Sequence, residues 1–270
     1  MKTFISSLFI LFFFLSCGKP FAIAPPIPTH ETFTIQSKIV NEARVINVWL
    51  PENYSSSTEN FPVMYMPDGG IKEDFPHVAN SISELIKQKS IPPMILVGIE
   101  NTQRRRDLTG PTEVESDREI ATVVNGSENF RDFIKTELFS EINKRYKMED
   151  KKGIIGESLS GLFVVETFFE HPEMFDYYIA FDPSIWWNDH YQVKMAKEHL
   201  SNFPKTEKVF WFAGSGAEDI SINTKALSAI LKTENLSNLK WMYLDHPKEN
   251  HSTIFRASKL EALKWTLGTN

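Results

Sequence analysis

The stretch that decides the fold is Gly153-Ile154-Ile155-Gly156-Glu157-Ser158-Leu159-Ser160-Gly161. An apolar strand that ends in a serine between small residues, followed by an apolar helical segment, is typical of a nucleophile elbow. The turn is so tight that the positions two before and two after the serine must be small, and Gly156 and Ser160 meet that demand. We therefore predict that Ser158 is a nucleophile. The alternative is a serine-rich turn that caps the following helix.

Apolar runs alternate with helical patterns around this stretch. A hairpin is predicted over 32–39 and 43–50, with further strands over 62–66, 94–99, 154–155, 177–181, 209–213 and 239–244. Helices are predicted over 81–89, 127–146, 162–169 and 252–266. Such alternation predicts an α/β fold with a mostly parallel sheet covered by helices on both faces. Ligands bind beyond the carboxyl ends of parallel strands, so the residues that follow the strands are the site candidates.

The first 30 residues have the composition of an export signal and a tether. An apolar segment over 4–15 is too short to span a bilayer stably and is typical of a signal-peptide core. It ends in a lipobox-like sequence at Cys17, the only cysteine of the chain. We predict a lipoprotein signal peptide over 1–17, lipidation of Cys17, a proline-rich tether over 18–30 and one domain over 31–270. An ordinary signal peptide with an incidental cysteine is the alternative.

This N-terminus predicts an exported protein that is lipid-anchored to a bacterial cell membrane, on the periplasmic or cell-surface side. The composition excludes some classes of binding partner for the domain. A net charge of −6 and the absence of a basic stripe argue against nucleic acid. Neither a metal nor another cofactor is expected, because no histidine pair has a carboxylate at ligand spacing.

A serine hydroxyl needs a base to take its proton, and the sequence holds seven histidines. His251 follows the last predicted strand, where it can reach the elbow, and His246 is the alternative base. The imidazole must be oriented by a carboxylate. The turn 214–219 can present Glu218, our choice, or Asp219, although either residue could instead cap the next helix. The order serine, acid, histidine is that of α/β-hydrolases.

A tetrahedral intermediate needs two backbone N–H donors for its oxyanion. Leu159, directly after the predicted nucleophile, supplies one. Gly70, in the loop after the strand 62–66, is expected to supply the other. A plain glycine-rich turn at 68–70 is the alternative interpretation.

Five blocks together resemble one family. They are 62–70, 101–109, the elbow, 181–187 and 249–252. They resemble the putative esterase family, hydrolases of the α/β superfamily related to enterobactin-type siderophore esterases and more distantly to esterase D and feruloyl or acetylxylan esterases. The resemblance implies an α/β-hydrolase fold and a serine carboxylic-ester hydrolase that works through a Ser-His-acid triad and an acyl-enzyme. It favours a siderophore or carbohydrate ester as the small-molecule substrate.

The same resemblance places Arg104, Arg106 and Asp107 at the rim of the site, where arginine forks suit substrate oxygens. It also suggests Trp186 and Trp187 as a stacking wall. The alternatives are a solvated loop in which the arginines pair with Asp107, and tryptophans that only pack.

The elbow departs from the family pattern, which usually reads Gly-His-Ser-x-Gly-Gly. Glu157 brings a negative charge to the site, which is expected to disfavour anionic substrates or to raise the pKa of His251. Ser160 replaces a glycine. These departures leave two other functions open: acyl transfer by an enzyme of the same fold, and ligand binding by a non-catalytic lipoprotein.

Overall fold

The computed structural model describes residues 26–268, which form one eight-stranded sheet with helices packed on it. The strands are β1 (Glu31–Ser37), β2 (Glu42–Trp49), β3 (Phe61–Met66), β4 (Ile95–Ile99), β5 (Met148–Glu157), β6 (Tyr177–Phe181), β7 (Lys208–Ser215) and β8 (Leu239–His246). Their order in the sheet is β1-β2-β4-β3-β5-β6-β7-β8. The pairs β1–β2 and β2–β4 are antiparallel, and the other five pairs are parallel. The expected hairpin therefore opens a mostly parallel sheet.

Helices cover both faces of this sheet. They are α1 (Phe75–Lys87), α2 (Arg104–Asp107), α3 (Glu115–Ile120), α4 (Ser127–Asp132), α5 (Phe139–Arg145), α6 (Leu159–Glu170), α7 (Trp187–Ser201), α8 (Glu218–Glu234) and α9 (Ile254–Leu267). A π-helical turn over 133–138 joins α4 to α5. One apolar core contains α1 and α9, and the other contains the helices from α4 to α8. This is the arrangement that the strand and helix patterns predict.

The core follows directly from the apolar runs of β5 and α6. The residues from Gly153 to Gly156 are buried, because neighbouring strands and both helical layers surround the middle of the sheet. In α6 every residue from Leu159 to Phe169 is buried. A helix that is apolar on nearly all sides must be enclosed, and α6 packs against β5, β6 and α7. The sheet and α6 therefore enclose the elbow between the two apolar cores.

Three features of these elements were not expected from the sequence. Helix α1 begins at Phe75, six residues before the predicted start, with Pro76 in its first turn, where the missing N–H of proline costs no hydrogen bond. β5 begins at Met148, well before the predicted pair of isoleucines. The first turn of α7 contains three left-handed residues, 188–190, so the chain kinks there before the regular helix.

The N-terminal predictions lie mostly outside the described residues. The signal peptide 1–17 with Cys17, and residues 18–25 of the tether, are not among them. Two of the last five residues of the predicted tether, Pro26 and His30, contact the domain. Pro26 O accepts a hydrogen bond from Asn80 Nδ2 at 2.8 Å. The His30 ring also lies edge-on to Phe75, with 5.5 Å between ring centroids.

The edges of the sheet are β1 and β8. Charged side chains accompany β8: Lys240 Nζ lies 4.7 Å from the centre of the Trp265 ring, and Asp245 pairs with Lys225 at 3.1 Å. The edge strand β8 therefore carries charged side chains of both signs.

A buried arginine joins β2 to the loop that follows β4. Arg44 is fully buried, and its Nη1 lies 2.7 Å from Asp107 Oδ2. Glu42 lies 3.1 Å from Arg44 Nη2, and the guanidinium also lies over the ring of Phe130 at 5.3 Å. A buried guanidinium is tolerated only when it is paired, so Asp107 stabilises the fold at this position.

We expect Asp107→Ala to lower the free energy of unfolding by about 3 kcal/mol, because it leaves the buried Arg44 charge poorly compensated. Chemical denaturation followed by circular dichroism measures the change. Asp150, which is exposed, provides the matched control, and Asp150→Ala should stay within about 0.5 kcal/mol of the unchanged protein. Equal losses in the two variants would show that the Arg44 pairing does not stabilise the fold.

Candidate active site

Ser158 lies at the sharp turn between β5 and α6. Its backbone has φ 61° and ψ −120°, a strained conformation for a residue with a side chain. A Cβ on Gly156 would lie only 2.6 Å from the backbone of Ser160, so a larger residue cannot be accommodated there without movement. The small residues around the serine are therefore a geometric requirement of this turn, as the sequence indicated.

His251 meets Ser158 at the carboxyl edge of the sheet. Its Nε2 lies 2.9 Å from Ser158 Oγ. The loop after β8 forms a tight turn around Asn250, whose backbone N–H donates to Thr253 Oγ1 and whose side-chain oxygen accepts from the Ser252 N–H, both at 3.0 Å. This turn directs the imidazole back over the elbow. The structure thus brings together the two side chains that the sequence paired, 93 residues apart.

The carboxylate that contacts His251 belongs to Asp182. Its Oδ2 lies 2.7 Å from His251 Nδ1. Asp182 directly follows β6, is fully buried and has φ 45°. The backbone N–H and the hydroxyl of Ser215 donate to it at 2.5 and 2.9 Å, so both carboxylate oxygens are held in place. A neutral imidazole held in this way donates from Nδ1 and can accept the Ser158 proton at Nε2.

The expectation that Glu218 or Asp219 orients the histidine was wrong. Both residues lie in the first turn of α8, and within 26–268 the His251 ring forms hydrogen bonds with Asp182 and Ser158 but with neither of these two carboxylates. Strand β7 runs on to Ser215, whose backbone N–H and hydroxyl hold Asp182, so the position next to the imidazole is already occupied by that carboxylate. Asp182 reaches it because β6 is the strand next to β5, which carries the elbow. The order serine, acid, histidine is kept.

The two expected oxyanion donors differ in availability. Leu159 is the first residue of α6, so its N–H is among those that lack a partner inside the helix. The Gly70 N–H instead donates to Glu73 Oε2 at 2.7 Å, because the loop after β3 folds back on itself. In this conformation Gly70 does not present a free donor, contrary to our expectation.

A cleft of about 420 Å³ opens over the serine. Its walls are Arg104, Arg105, Ile120, Ser158, Leu159, Ser184, Trp186, Ala217, Asp219, Ile220 and His251. Of the predicted substrate-binding residues, Arg104 and Trp186 are here. Arg104 is not free, since its Nε and Nη2 donate to the two oxygens of Asp68 at 2.6 and 2.8 Å. Arg105, which was not among the predicted substrate-binding residues, places an exposed guanidinium in the cleft.

Three other predicted substrate contacts lie elsewhere. Arg106 pairs with Glu42 and Asp107, and Asp107 also pairs with the buried Arg44, so both predicted rim residues belong to the ion-pair network under the loop. Trp187 is buried, and its Nε1 donates to Gly110 O at 3.3 Å. It lines a separate cavity of about 410 Å³. These assignments as substrate-binding residues are therefore corrected.

Ser160 ties the elbow to the loop after β3. Its hydroxyl accepts from the Glu157 N–H at 2.9 Å and lies 2.8 Å from Asp68 Oδ2, to which it donates. Asp68 in turn holds Arg104. The serine that replaces the usual glycine thus fits the turn and adds a link between the nucleophile loop and a wall of the cleft.

The pKa values of Glu157 and His251 are shifted in the same direction for different reasons. Burial raises the pKa of Glu157 to about 7. The hydrogen bond that His251 Nδ1 donates to Asp182 raises the pKa of His251, and the nearby Glu157 charge adds to that effect. Glu157 Oε1 lies 3.9 Å from His251 Nε2. The imidazole is therefore a stronger base than an isolated histidine.

Residues 26–268 contain no group of three or more metal-ligating side chains that could hold a metal ion. In the same range, no helix is both long enough and apolar enough to traverse a bilayer.

Comparison with known families identifies the chain. The model of the family described as Putative esterase matches residues 37–258. The chain belongs to the putative esterase family. This membership confirms the resemblance seen in the sequence blocks and the expectation of a carboxylic ester hydrolase.

Relatives of this esterase-family chain include two proteins of Bacillus subtilis (strain 168). The "Uncharacterized protein YbbA" is 26% identical over 241 residues, which are 84% of this chain and 94% of that protein. The "Ferri-bacillibactin esterase BesA" is 28% identical over 197 residues, and the match covers 65% of each protein. Among solved structures, an IroE-like serine hydrolase from Shewanella oneidensis superposes with a TM-score of 0.81 at 23% identity, over 88% of this chain and 79% of that one. That structural likeness confirms the α/β-hydrolase fold.

We expect Asp182→Asn to lower the pKa of His251, because the carboxylate that stabilises the imidazolium is replaced by a neutral amide. Titration of the histidine ring protons by nuclear magnetic resonance measures the shift. Glu218→Gln is the control and should leave the His251 titration unchanged. A shift in the Glu218 variant as large as that in the Asp182 variant would show that the acid is misassigned.

Proposed function

We propose that this protein is a serine esterase that hydrolyses carboxylic esters through Ser158, His251 and Asp182. The observation that supports it is the unbroken hydrogen-bonded chain from Ser158 Oγ to His251 at 2.9 Å and from His251 to Asp182 at 2.7 Å. A hydroxyl, an imidazole and a buried carboxylate in this order are the parts of a nucleophilic triad.

In the proposed acylation step, Ser158 Oγ attacks the ester carbonyl carbon while His251 Nε2 takes the hydroxyl proton. Asp182 holds the imidazole in the required tautomer and stabilises the imidazolium. The carbonyl oxygen becomes an oxyanion that accepts a hydrogen bond from the Leu159 N–H at the start of α6. His251 then gives its proton to the leaving alcohol, and the acyl group remains on Ser158.

Deacylation repeats these roles with water as the nucleophile. His251 takes a proton from the water, the second tetrahedral intermediate collapses, and Ser158 recovers its proton from the imidazolium. His251 must be neutral to act as the base. The pKa of His251 is raised. As the pH is lowered, the rate should therefore begin to fall at a higher pH than in an enzyme whose catalytic histidine has an unperturbed pKa.

The names of the relatives support a siderophore ester as the substrate. BesA is called a ferri-bacillibactin esterase, and an Escherichia coli relative, 24% identical over 257 residues, is called an apo-salmochelin esterase. In the cleft, Trp186 and Arg105 offer a ring face and a guanidinium to such a molecule. A carbohydrate ester would use the same two features, so both classes belong in a substrate panel.

The N-terminal sequence supports an exported, lipid-anchored location on a bacterial membrane. Cys17 would carry the lipid, and the residues up to His30 would connect it to the domain. This arrangement explains why the chain has a cysteine at that place and at no other.

We expect a fluorophosphonate probe to label Ser158 and the protein to hydrolyse p-nitrophenyl acetate. Ser158→Ala should abolish labelling and lower kcat by a factor on the order of 10⁶, because the triad acts as a unit. Ser201→Ala removes an exposed hydroxyl on α7 and should change neither property. Labelling at another residue, or full activity in the Ser158 variant, would contradict the mechanism. A panel of siderophore lactones, feruloylated sugars and acetylated glycans then identifies the ester class.

We expect Cys17→Ser, expressed as the full chain in a bacterium, to move the protein from the membrane fraction to the soluble fraction, because no lipid can be attached. Cells are grown with an alkyne-labelled fatty acid and then fractionated. The fraction that contains the protein gives its location, and the alkyne label reports lipidation. Lipid label that persists in the Cys17 variant would contradict the assignment of the anchor.

A further inference from the structure

Glu157 is a largely buried carboxylate next to the proposed nucleophile. Its side chain is 18% exposed, and its Oε1 lies 3.9 Å from His251 Nε2, the nitrogen that contacts Ser158. Within 26–268, His251 is the one residue with a basic nitrogen within 4.0 Å of the Glu157 oxygens, and no hydrogen bond reaches them. The neighbouring carboxylates differ in this respect, since Asp182 is bonded to His251 and Ser215, and Asp68 to Arg104.

The other charges that face Glu157 come from separate segments. Asp68 follows β3, Asp74 precedes α1 and Arg104 begins α2. Asp68 and Arg104 form a two-pronged ion pair that neutralises both, and Asp74 is bonded to His77 at 2.9 Å. Arg104 therefore compensates the charge of Glu157 only in part. The Glu157 carboxylate still creates a negative potential at the serine and the imidazole.

The imidazole of His251 also faces negative groups from three sides. Asp182 bonds its Nδ1, Glu157 lies near its Nε2, and Asp219 at the start of α8 adds a weaker, more distant charge. Of these three, Glu157 is the one close to Nε2. During ester cleavage Nε2 hands its proton to the leaving alcohol, so the alcohol part of the substrate must lie against the same nitrogen.

We propose that Glu157 is a specificity-determining residue that makes this cleft prefer esters whose leaving alcohol carries a positive charge over esters whose leaving alcohol carries a negative one. The inference rests on the proposed function, since it assigns a substrate preference to the same triad. An ammonium group on the alcohol would supply the cation that Glu157 lacks. A sulfonate or carboxylate there would be repelled by it.

The cation Arg105 lines the same cleft but does not cancel this effect near the ester. Its side chain is exposed, and its guanidinium is bonded to Ile120 O. Solvent screens an exposed charge more than a buried one, so Arg105 offsets the charge of Glu157 only weakly. Glu157, largely buried beside Ser158, acts on the group next to the scissile bond.

Three acetyl thioesters with leaving thiols of similar size test the proposal: acetylthiocholine, S-acetyl-2-mercaptoethanol and S-acetyl-2-mercaptoethanesulfonate. A chromogenic disulfide reports thiol release, and kcat/KM is measured at pH 8.5, where Glu157 is ionised. We expect the unchanged protein to prefer the cationic over the anionic thioester at least about tenfold, and Glu157→Gln to lower that ratio about tenfold. The control is Glu198→Gln, which removes an exposed carboxylate of α7 and should leave the ratio unchanged.

The pH profile of Glu157→Gln is a second measurement, and it would not change if Glu157 had only a structural role. Removing the carboxylate takes away a group that stabilises the imidazolium, so the acidic limb of kcat/KM for the neutral thioester should move to lower pH in Glu157→Gln. In the unchanged protein, the ratio of cationic to anionic kcat/KM should fall as pH decreases through about 7, where Glu157 becomes neutral. Protonation of His251 slows both substrates equally and cancels from the ratio. This last measurement needs no variant and holds even if Glu157→Gln fails to fold.

Two results would overturn the proposal while ester hydrolysis itself stands. One is a ratio of cationic to anionic kcat/KM that is equal in the unchanged protein and in Glu157→Gln. The other is a ratio in the unchanged protein that does not depend on pH. Absence of both thioester cleavage and fluorophosphonate labelling in the unchanged protein would instead overturn the proposed function, and the inference with it.

Discussion

The strained turn at Ser158 is the constraint on which the rest of the site depends. A serine with φ 61° can be held there only because Gly156 leaves room for the backbone of Ser160, and because β5 and α6 are fixed between two apolar cores. The turn sets the direction of the hydroxyl. The neighbouring strand β6 then determines which carboxylate lies beneath the imidazole, and the loop after β8 determines which imidazole reaches the hydroxyl.

The sequence predicted the parts of the site that depend on local structure. The elbow is contained in nine consecutive residues, and His251 follows the last strand, so both could be predicted from chain position. Asp182 could have been noticed, since it directly follows a buried strand in Phe181-Asp182-Pro183. What singles it out, however, is the adjacency of β5 and β6, which is a property of the folded sheet.

The segment 104–107 also shows that contacts between distant segments could not be predicted from the sequence. Arg106 and Asp107 have the residue types of a substrate-binding rim, and the family resemblance placed them there. Their partners, Glu42 and Arg44, come from a strand about 60 residues earlier, and that pairing exists only after the sheet has formed. Arg105, between Arg104 and Arg106, is directed into the cleft instead because a single helical turn points successive side chains in different directions.

The charged border of β8 has a consequence for encounters between copies of the protein. An edge strand exposes a row of backbone donors and acceptors to which another strand could add. A strand that paired with β8 would place its own side chains beside the exposed Lys240 and Asp245, and desolvation of these charges opposes such pairing. The edge therefore resists strand-by-strand aggregation, which favours separate copies even where the protein is concentrated.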